Sequence, residues 1–137
     1  MTILFSLSLQ VGTAETLTES RIHCASTEKD FFLYYFRRMH PGRTLVFCNS
    51  VDCVRRLVNL FALLKTTPLG LHAQMHQKQR LKNLERFAED GDGLLVATDV
   101  AARGLDIKNV EHVIHYQVPR TSEVRPFYWF RHPKSFV

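Results

Sequence analysis

The sequence predicts an α/β fold in which helices cover both faces of a parallel sheet. Short apolar runs recur along the chain, amphipathic segments of helical period separate them, and polar residues follow each run directly. Runs that are apolar throughout are typical of strands covered on both sides. We expect strands near residues 21–25, 44–48, 69–73, 94–98 and 112–116. Because ligands of open α/β sheets bind beyond the carboxyl ends of the strands, the candidate site lies there.

The composition is that of one globular domain that is not a membrane protein. The chain has 137 residues, of which 45% are hydrophobic and 23% charged. No apolar run approaches the roughly 20 residues of a membrane span. The formal net charge of +5 favours a polyanionic partner, although many basic domains bind no nucleic acid. Cys24, Cys48 and Cys53 lack zinc-type spacing, so we expect reduced structural cysteines, an intracellular protein and no metal.

The two ends of the chain differ from its middle. The start, MTILFSLSLQVG, is apolar, but it has no basic segment and no clear cleavage site, which argues against a secretory signal. We expect residues 1–20 to be a poorly ordered leader or linker, 21–122 to be the domain, and 123–137 to be a divergent aromatic tail.

The first helix is predicted to begin after a cap at Ser26 or Thr27 and to end near Met39. It is apolar nearly all round, so we expect it to pack on more than one side. Its aromatic residues could stack on bases, but core packing is the favoured interpretation.

Two further helices follow the second and third strands. Ser50 is a good cap for a helix over 51–65. The next helix opens with Gln77 and Arg80, which are three residues apart and share a face. A helix start of this kind suits phosphate, but for the pair taken alone a plain solvated surface helix is the favoured interpretation. The stripe expected to be buried in this helix is Leu81, Leu84 and Phe87.

The stretch GLLVATDVAARGLDI over 93–107 carries the richest chemistry. Thr98 and Arg103 offer a hydroxyl and a guanidinium to phosphate oxygens, and Asp106 offers a carboxylate to sugar hydroxyls. Gly104 allows a backbone to approach closely. A buried strand followed by an ordinary loop is the alternative interpretation of these residues.

This stretch resembles motif V of the DEAD-box RNA helicases, whose signature is ATD-x-x-ARG-x-D. Three further strings resemble the same family in the same order. LVFCNS is similar to motif IV, the Q-x-x-R pair with its downstream L-x-x-F is similar to the motif between IV and V, and VIHYQVPRT is similar to the approach to motif VI. The resemblance covers about 21–122. It implies a RecA-like, P-loop NTPase-type parallel sheet, namely the C-terminal domain of such a helicase.

The resemblance also implies roles for individual residues. All but one of the implied contacts are to the RNA backbone, so binding independent of RNA sequence is expected. Asp106 would take the ribose hydroxyls of ATP, and Asp99 would organise its loop. The residues implied to contact RNA are Asn49, Ser50, Gln77, Arg80, Thr98, Arg103 and Gly104.

Several parts of a full helicase have no counterpart in this sequence. The family's N-terminal RecA-like domain, which is the implied partner, holds ATP and Mg²⁺ through a P-loop and DEAD acids, and neither motif occurs here. Where the family continues with His-Arg-x-Gly-Arg-x-x-Arg, this chain reads EVRPFYWFRHPKSFV. We therefore expect no catalytic residue and no ATPase activity from the chain alone. The tail is either sequence read past a splice or frame change or an aromatic interaction segment.

Two classes of function remain open at this point. The first is half of an ATP-dependent RNA helicase. Parts of this sequence most resemble the nucleolar, ribosome-biogenesis branch of that family. The second is a stand-alone RNA- or protein-binding module that competes with the full enzyme. A nucleotide-binding regulator of flavodoxin-like build fits the alternation of strands and helices, but it leaves Gln77 and Arg80 unexplained.

Overall fold

The computed structural model describes residues 2–8, 17–105, 107 and 109–117. Its strands are β1 (Thr2–Ser8), β2 (Leu17–His23), β3 (Thr44–Cys48), β4 (Pro68–Leu71), β5 (Leu94–Thr98) and β6 (His112–His115). Its helices are α1 (Lys29–Met39), α2 (Val51–Leu63), α3 (Gln77–Glu89) and α4 (Asp99–Ala102), and a 3-10 turn (Ser26–Glu28) leads into α1. Across these described residues the strands form one sheet in the order β2-β1-β6-β3-β5-β4.

Four of these strands form the predicted parallel sheet. β3 pairs with β5 and β6, and β4 pairs with β5, all in parallel. β3 and β5 have the predicted bounds, because each is an apolar run that follows a charged residue or a glycine and ends before a polar residue. β4 and β6 end at Leu71 and His115, slightly before the predicted ends at 73 and 116.

The other two strands are an antiparallel addition to this sheet. β1 pairs with β2 and with β6, both antiparallel. The strand predicted over 21–25 is the end of β2, which begins earlier, at Leu17. Thus β1 and the first part of β2 fall within 1–20, where a leader or linker is expected. By pairing with β6, β1 satisfies backbone groups that an edge strand would leave unpaired.

The core has two layers because neighbouring residues of each strand point to opposite faces. On one face, Val46 and Cys48 of β3 pack with the helices α1 and α2. On the other face, Leu45 and Phe47 pack with α3 and α4. The predicted coverage of both faces by helices is therefore confirmed.

The first helix departs from the prediction that it packs on more than one side. Leu33 and Phe36 are buried, but Phe31 and Tyr35 are 65% and 53% exposed. Their rings stack on each other with centroids 6.3 Å apart. The prediction is wrong because α1 lies on the outside of the sheet and turns one face to solvent. Its predicted side-chain cap is also absent, since Ser26 lies in the 3-10 turn and the capping position is taken by Glu28.

The third helix follows the predicted stripe in part, since Phe87 is buried and Leu84 packs against the core. Leu81 is 49% exposed, whereas Asn83 is 6% exposed. The Asn83 amide donates to the Gly70 carbonyl at 2.7 Å and accepts from Gln79 at 2.8 Å. A polar side chain is therefore satisfied inside the interface between α3 and β4.

Among the described residues, none of the helices is both long enough and apolar enough to cross a membrane.

Candidate nucleic-acid interface

The parallel register brings the predicted polar residues to one edge of the sheet. Cys48 of β3 lies opposite Thr98 of β5, and Leu71 of β4 lies opposite Ala97. Phe47 lies opposite His115 of β6. All four strands therefore end at the same level. The carboxyl rim, as we call this edge, consists of Asn49–Ser50, His72, the first turn of α3, Thr98–Gly104 and Tyr116–Gln117.

The loop after β5 is built around a short capped helix. The Thr98 hydroxyl accepts a hydrogen bond from the Ala101 amide at 3.4 Å, so it caps α4. Arg103 pairs with Asp99 at 3.0 Å, and both side chains are about half exposed. Gly104 has φ +74, and no atom lies within 4 Å of the place where a Cβ would stand. Glycine is therefore favoured here by backbone conformation and not by crowding.

Arg80 connects α3 to this loop. One Nη of its guanidinium donates to the Ala101 carbonyl at 3.1 Å. Its Nε is buried and has no hydrogen-bond partner among the described residues. Gln77 is exposed at the start of α3, and the preceding His76 supplies no side-chain cap. The first amides of α3 therefore lack a capping side chain on the rim, beside a guanidinium with an unused donor.

A buried histidine next to Arg80 was not among the residues expected to line the RNA site, and with His76 it was judged an unlikely zinc ligand. His72 follows β4 and is 7% exposed. Burial lowers its pKa, and the positive charges of Arg55 and Arg80 lower it further. Arg55 also donates to the Gln74 amide oxygen at 2.9 Å. Two guanidinium groups thus make this part of the rim electropositive. The available signal was the position of His72 directly after a strand, next to the Q-x-x-R pair.

Asn49 and Ser50 lie on the neighbouring strand end. Ser50 caps α2 as predicted, since its hydroxyl accepts from the Cys53 amide at 3.2 Å. The Asn49 amide donates to the Gln117 side-chain oxygen at 2.8 Å. These bonds attach the turn after β3 to the residues after β6.

A network of hydrogen-bonded polar side chains lies next to this side of the rim. Arg56 donates to both carboxylate oxygens of Asp30, at 2.7 and 3.1 Å. The Tyr116 hydroxyl donates to Asp30 at 2.6 Å and accepts from Arg56 at 2.7 Å. Partial burial acts to raise the pKa of Asp30, but the hydrogen bonds from Arg56 and Tyr116 outweigh it and lower that pKa. Buried Lys29 donates to the Tyr116 carbonyl at 3.0 Å. Sequence reasoning missed this network because its members are far apart in the chain.

Some predicted features fall outside the described residues. Asp106, the residue expected to contact the ribose of ATP, is one of them, as are the loop 118–122 and the tail 123–137. Among the residues that are described, no group of three or more His, Cys, Asp or Glu side chains is placed to hold a metal ion.

The sequence is similar to helicases over most of its length. The helicase conserved C-terminal domain matches residues 28–127. The mouse and human proteins described as ATP-dependent RNA helicase DDX24 are each 63% identical over 118 residues, which is 86% of this chain and 14% of theirs. The Debaryomyces hansenii protein described as ATP-dependent RNA helicase MAK5 is 49% identical over 115 residues, which is 81% of this chain and 15% of that protein. The chain thus spans about one seventh of these relatives.

Solved structures agree with the sequence similarity. The E. coli DEAD-box protein SrmB, bound to regulator of ribonuclease activity A, has a TM-score of 0.69 at 28% identity, covering 81% of this chain and 66% of that one. The C-terminal domain of the DEAD-box protein Dbp5 has a TM-score of 0.65 at 22% identity, covering 77% and 60%, which supports the fold. The chain therefore belongs to the helicase conserved C-terminal domain family, with the RecA-like fold of the C-terminal domain of DEAD-box RNA helicases.

Proposed function

We propose that this chain acts as the C-terminal half of a DEAD-box ATP-dependent RNA helicase and that its carboxyl rim binds the RNA sugar-phosphate backbone. The observation that carries the proposal is the convergence of Arg80, Arg55 and the uncapped start of α3 beside the loop that Thr98 caps. Guanidinium donors and helix amides together favour a phosphate group.

Different residues of the carboxyl rim would contact different phosphates of the RNA backbone. The Arg80 guanidinium and the first amides of α3, near Gln77, would bind one phosphate. The next phosphate would be contacted by the Thr98 hydroxyl, Arg103 and the open backbone at Gly104. The turn at Asn49–Ser50 would reach a further phosphate. Such contacts read phosphate and sugar, so affinity would not depend on base sequence.

We further propose that ATP is shared with an N-terminal RecA-like domain. That domain would supply the P-loop and hold Mg²⁺, while Asp106 of this chain would contact the ribose. Phosphoryl transfer needs all these groups placed around the γ-phosphate, so the chain alone would not hydrolyse ATP. We also propose, from the strings EKDFFLYYF and MHQKQRLKNLERF that resemble the ribosome-biogenesis branch of the family, that the full protein works in ribosome biogenesis in the nucleolus. A fluorescent fusion scored against a nucleolar marker tests this last point.

The central experiment is a titration of the purified chain with fluorescent single-stranded RNA at several salt concentrations. We expect affinity to fall as salt rises, because phosphate contacts release counterions. The Arg80→Ala variant should bind about tenfold more weakly to unrelated RNA sequences, as expected when a charge-assisted contact worth about 1.4 kcal/mol is lost. The slope of log affinity against log salt should become shallower by about 0.7.

The matched control is Arg86→Ala. Arg86 is an exposed arginine in the last turn of the same helix, so it has equal charge but lies away from the rim. Equal losses for both variants would mean that net charge alone drives binding, and the proposed interface would be rejected. An ATPase assay on the same preparations completes the test, since RNA-stimulated turnover by the chain alone would contradict the shared ATP site.

A further inference from the structure

Two cysteines lie on either side of the turn after β3, and their side chains meet. Cys48 is the last residue of β3 and is 2% exposed. Cys53 lies in the first turn of α2 and is half-buried. Both belong to the same hydrophobic cluster, and their thiols form a hydrogen bond. The Ser50 cap between them fixes this geometry, because its hydroxyl accepts from the Cys53 amide at 3.2 Å.

The surroundings of the two thiols make them chemically different. The hydrogen bond from Cys48 lowers the pKa of Cys53 to about 7; burial opposes this shift, while the positive charge of Arg56 adds to it. The position of Cys53 near the start of a helix acts in the same direction. The same hydrogen bond and burial raise the pKa of Cys48 well above its usual range, so Cys48 keeps its proton. Cys53 therefore has more thiolate character than an ordinary cysteine, and its neighbour Cys48 is a protonated thiol.

We propose that Cys53 is a modification site for hydroperoxides and that Cys48 resolves its oxidised form as an intramolecular disulfide. In the first step the Cys53 thiolate attacks hydrogen peroxide, the O–O bond breaks, and an S–O bond forms. The sulfur loses two electrons to the peroxide, whose second oxygen leaves as hydroxide and takes up a proton to become water. The product is a sulfenic acid at Cys53.

In the second step Cys48 attacks that sulfenic sulfur. The S–O bond breaks, an S–S bond forms, and the departing hydroxide leaves as water with the proton of Cys48. Oxidation removes the negative charge of Cys53, which had helped to keep Cys48 protonated. The reaction therefore releases the resolving thiol for attack. This chemistry is independent of RNA binding and needs only the two cysteines and the peroxide.

Trypsin separates the cysteines in a way that makes the test direct. Residues 44–55 form one tryptic peptide, TLVFCNSVDCVR, which contains both Cys48 and Cys53. Cys24 falls on a separate peptide, 22–29, and is also half-buried, so it serves as the internal control. Limiting iodoacetamide should label Cys53 roughly tenfold faster than Cys24 at pH 7. Hydrogen peroxide should then convert peptide 44–55 of unlabelled protein to a form lighter by two hydrogen atoms, and dithiothreitol should reverse this change.

A variant assigns the order of the two steps. In Cys48→Ala the disulfide should not form, and dimedone should trap a sulfenic acid at Cys53. Should that variant fail to fold, the measurements on the unmodified chain decide alone. Labelling of Cys53 no faster than that of Cys24 would overturn the proposal. Oxidation of Cys53 while Cys48 stays free, or a disulfide formed only between molecules, would also overturn it.

Discussion

Arg37 and Arg80 lie at opposite ends of the parallel sheet and differ in how many hydrogen bonds they make to the protein. At the amino edge, formed by the loops 40–43 and 90–93, Arg37 donates to the Gly42 carbonyl, the Thr44 hydroxyl and both a carboxylate oxygen and the carbonyl of Asp92. The Arg37 side chain is only 10% exposed. At the carboxyl rim, Arg80 makes one such bond and keeps a buried donor without a partner among the described residues.

Under the proposed function, this difference separates an arginine that stabilises the fold from an arginine that binds RNA. A guanidinium that already makes several hydrogen bonds to the protein has fewer donors to offer a phosphate group. A guanidinium held by a single hydrogen bond, such as that of Arg80, would keep more of its donors for RNA under the same proposal. At these two edges, the number of hydrogen bonds to the protein distinguishes Arg37 from Arg80, although residue type and charge are the same.

The largest expected effect is at the amino edge. Arg37→Ala removes several hydrogen bonds from a mostly buried charge, so the free energy of unfolding should fall by about 3 kcal/mol. The RNA affinity of the folded fraction should not change. Urea denaturation followed by circular dichroism measures the first quantity. Arg38→Ala is the control, because Arg38 is an exposed neighbour on the same helix, and it should change stability by no more than about 0.5 kcal/mol. Equal losses in the two variants would contradict a stabilising role for the hydrogen bonds of Arg37, which we call the Arg37 clamp.

A smaller effect is expected from the network below the rim. Tyr116→Phe deletes the hydroxyl that connects Asp30 and Arg56, and leaves the ring in place. We expect the free energy of unfolding to fall by about 1 kcal/mol, which is typical of a partly buried hydrogen bond. Tyr35→Phe at an exposed tyrosine provides the comparison and should be nearly neutral. If the two variants were equally stable, the network would position its side chains without adding to the free energy of unfolding.

Arg80 itself should contribute little to stability. Arg80→Ala loses one hydrogen bond to a carbonyl, so the expected loss is about 0.5 kcal/mol, well below that of Arg37→Ala. The same urea titration measures it. A loss of 2 kcal/mol or more would make Arg80 a structural residue, and the contrast between the two edges would no longer hold.

The smallest effect concerns pH. Burial lowers the pKa of His115 below its usual value near 6.5, although the charge of Asp99 opposes this. As pH falls below about 6.5, the unfolded chain binds a proton that the folded chain resists, so stability decreases until the folded pKa is reached. Thermal melts between pH 7.5 and 5 should show less loss for His115→Gln than for the unmodified chain. Parallel pH profiles of the two proteins would exclude His115 as the source.

The sequence predicts the centre of this fold better than its periphery. The bounds of β3 and β5 follow from apolar runs that end in polar residues, and their register then places Thr98 and Ser50 on one rim. Burial within helices was predicted less well. Leu81 matched the apolar spacing yet is exposed, because Asn83 reaches a carbonyl of β4 that periodicity does not reveal.

The Arg37 clamp and the Asp30 network were not predictable for a different reason. Each joins segments that are far apart in the chain, and only the folded sheet brings them within hydrogen-bond distance. The same holds for the pairing of β1 with β6. Local patterns predict secondary structure, whereas contacts between distant loops depend on the completed topology.

The pairing of β1 with β6 also determines when the sheet can be completed. Leu4 lies opposite His115, near the other end of the described chain. During synthesis from the amino terminus, the ribosome releases β1 long before β6 exists. The edge of β1 that faces the sheet must therefore wait with unpaired backbone groups, which is the condition in which strands associate with other chains. Fast completion of the last strand would shorten the time for which the first strand has this exposed edge.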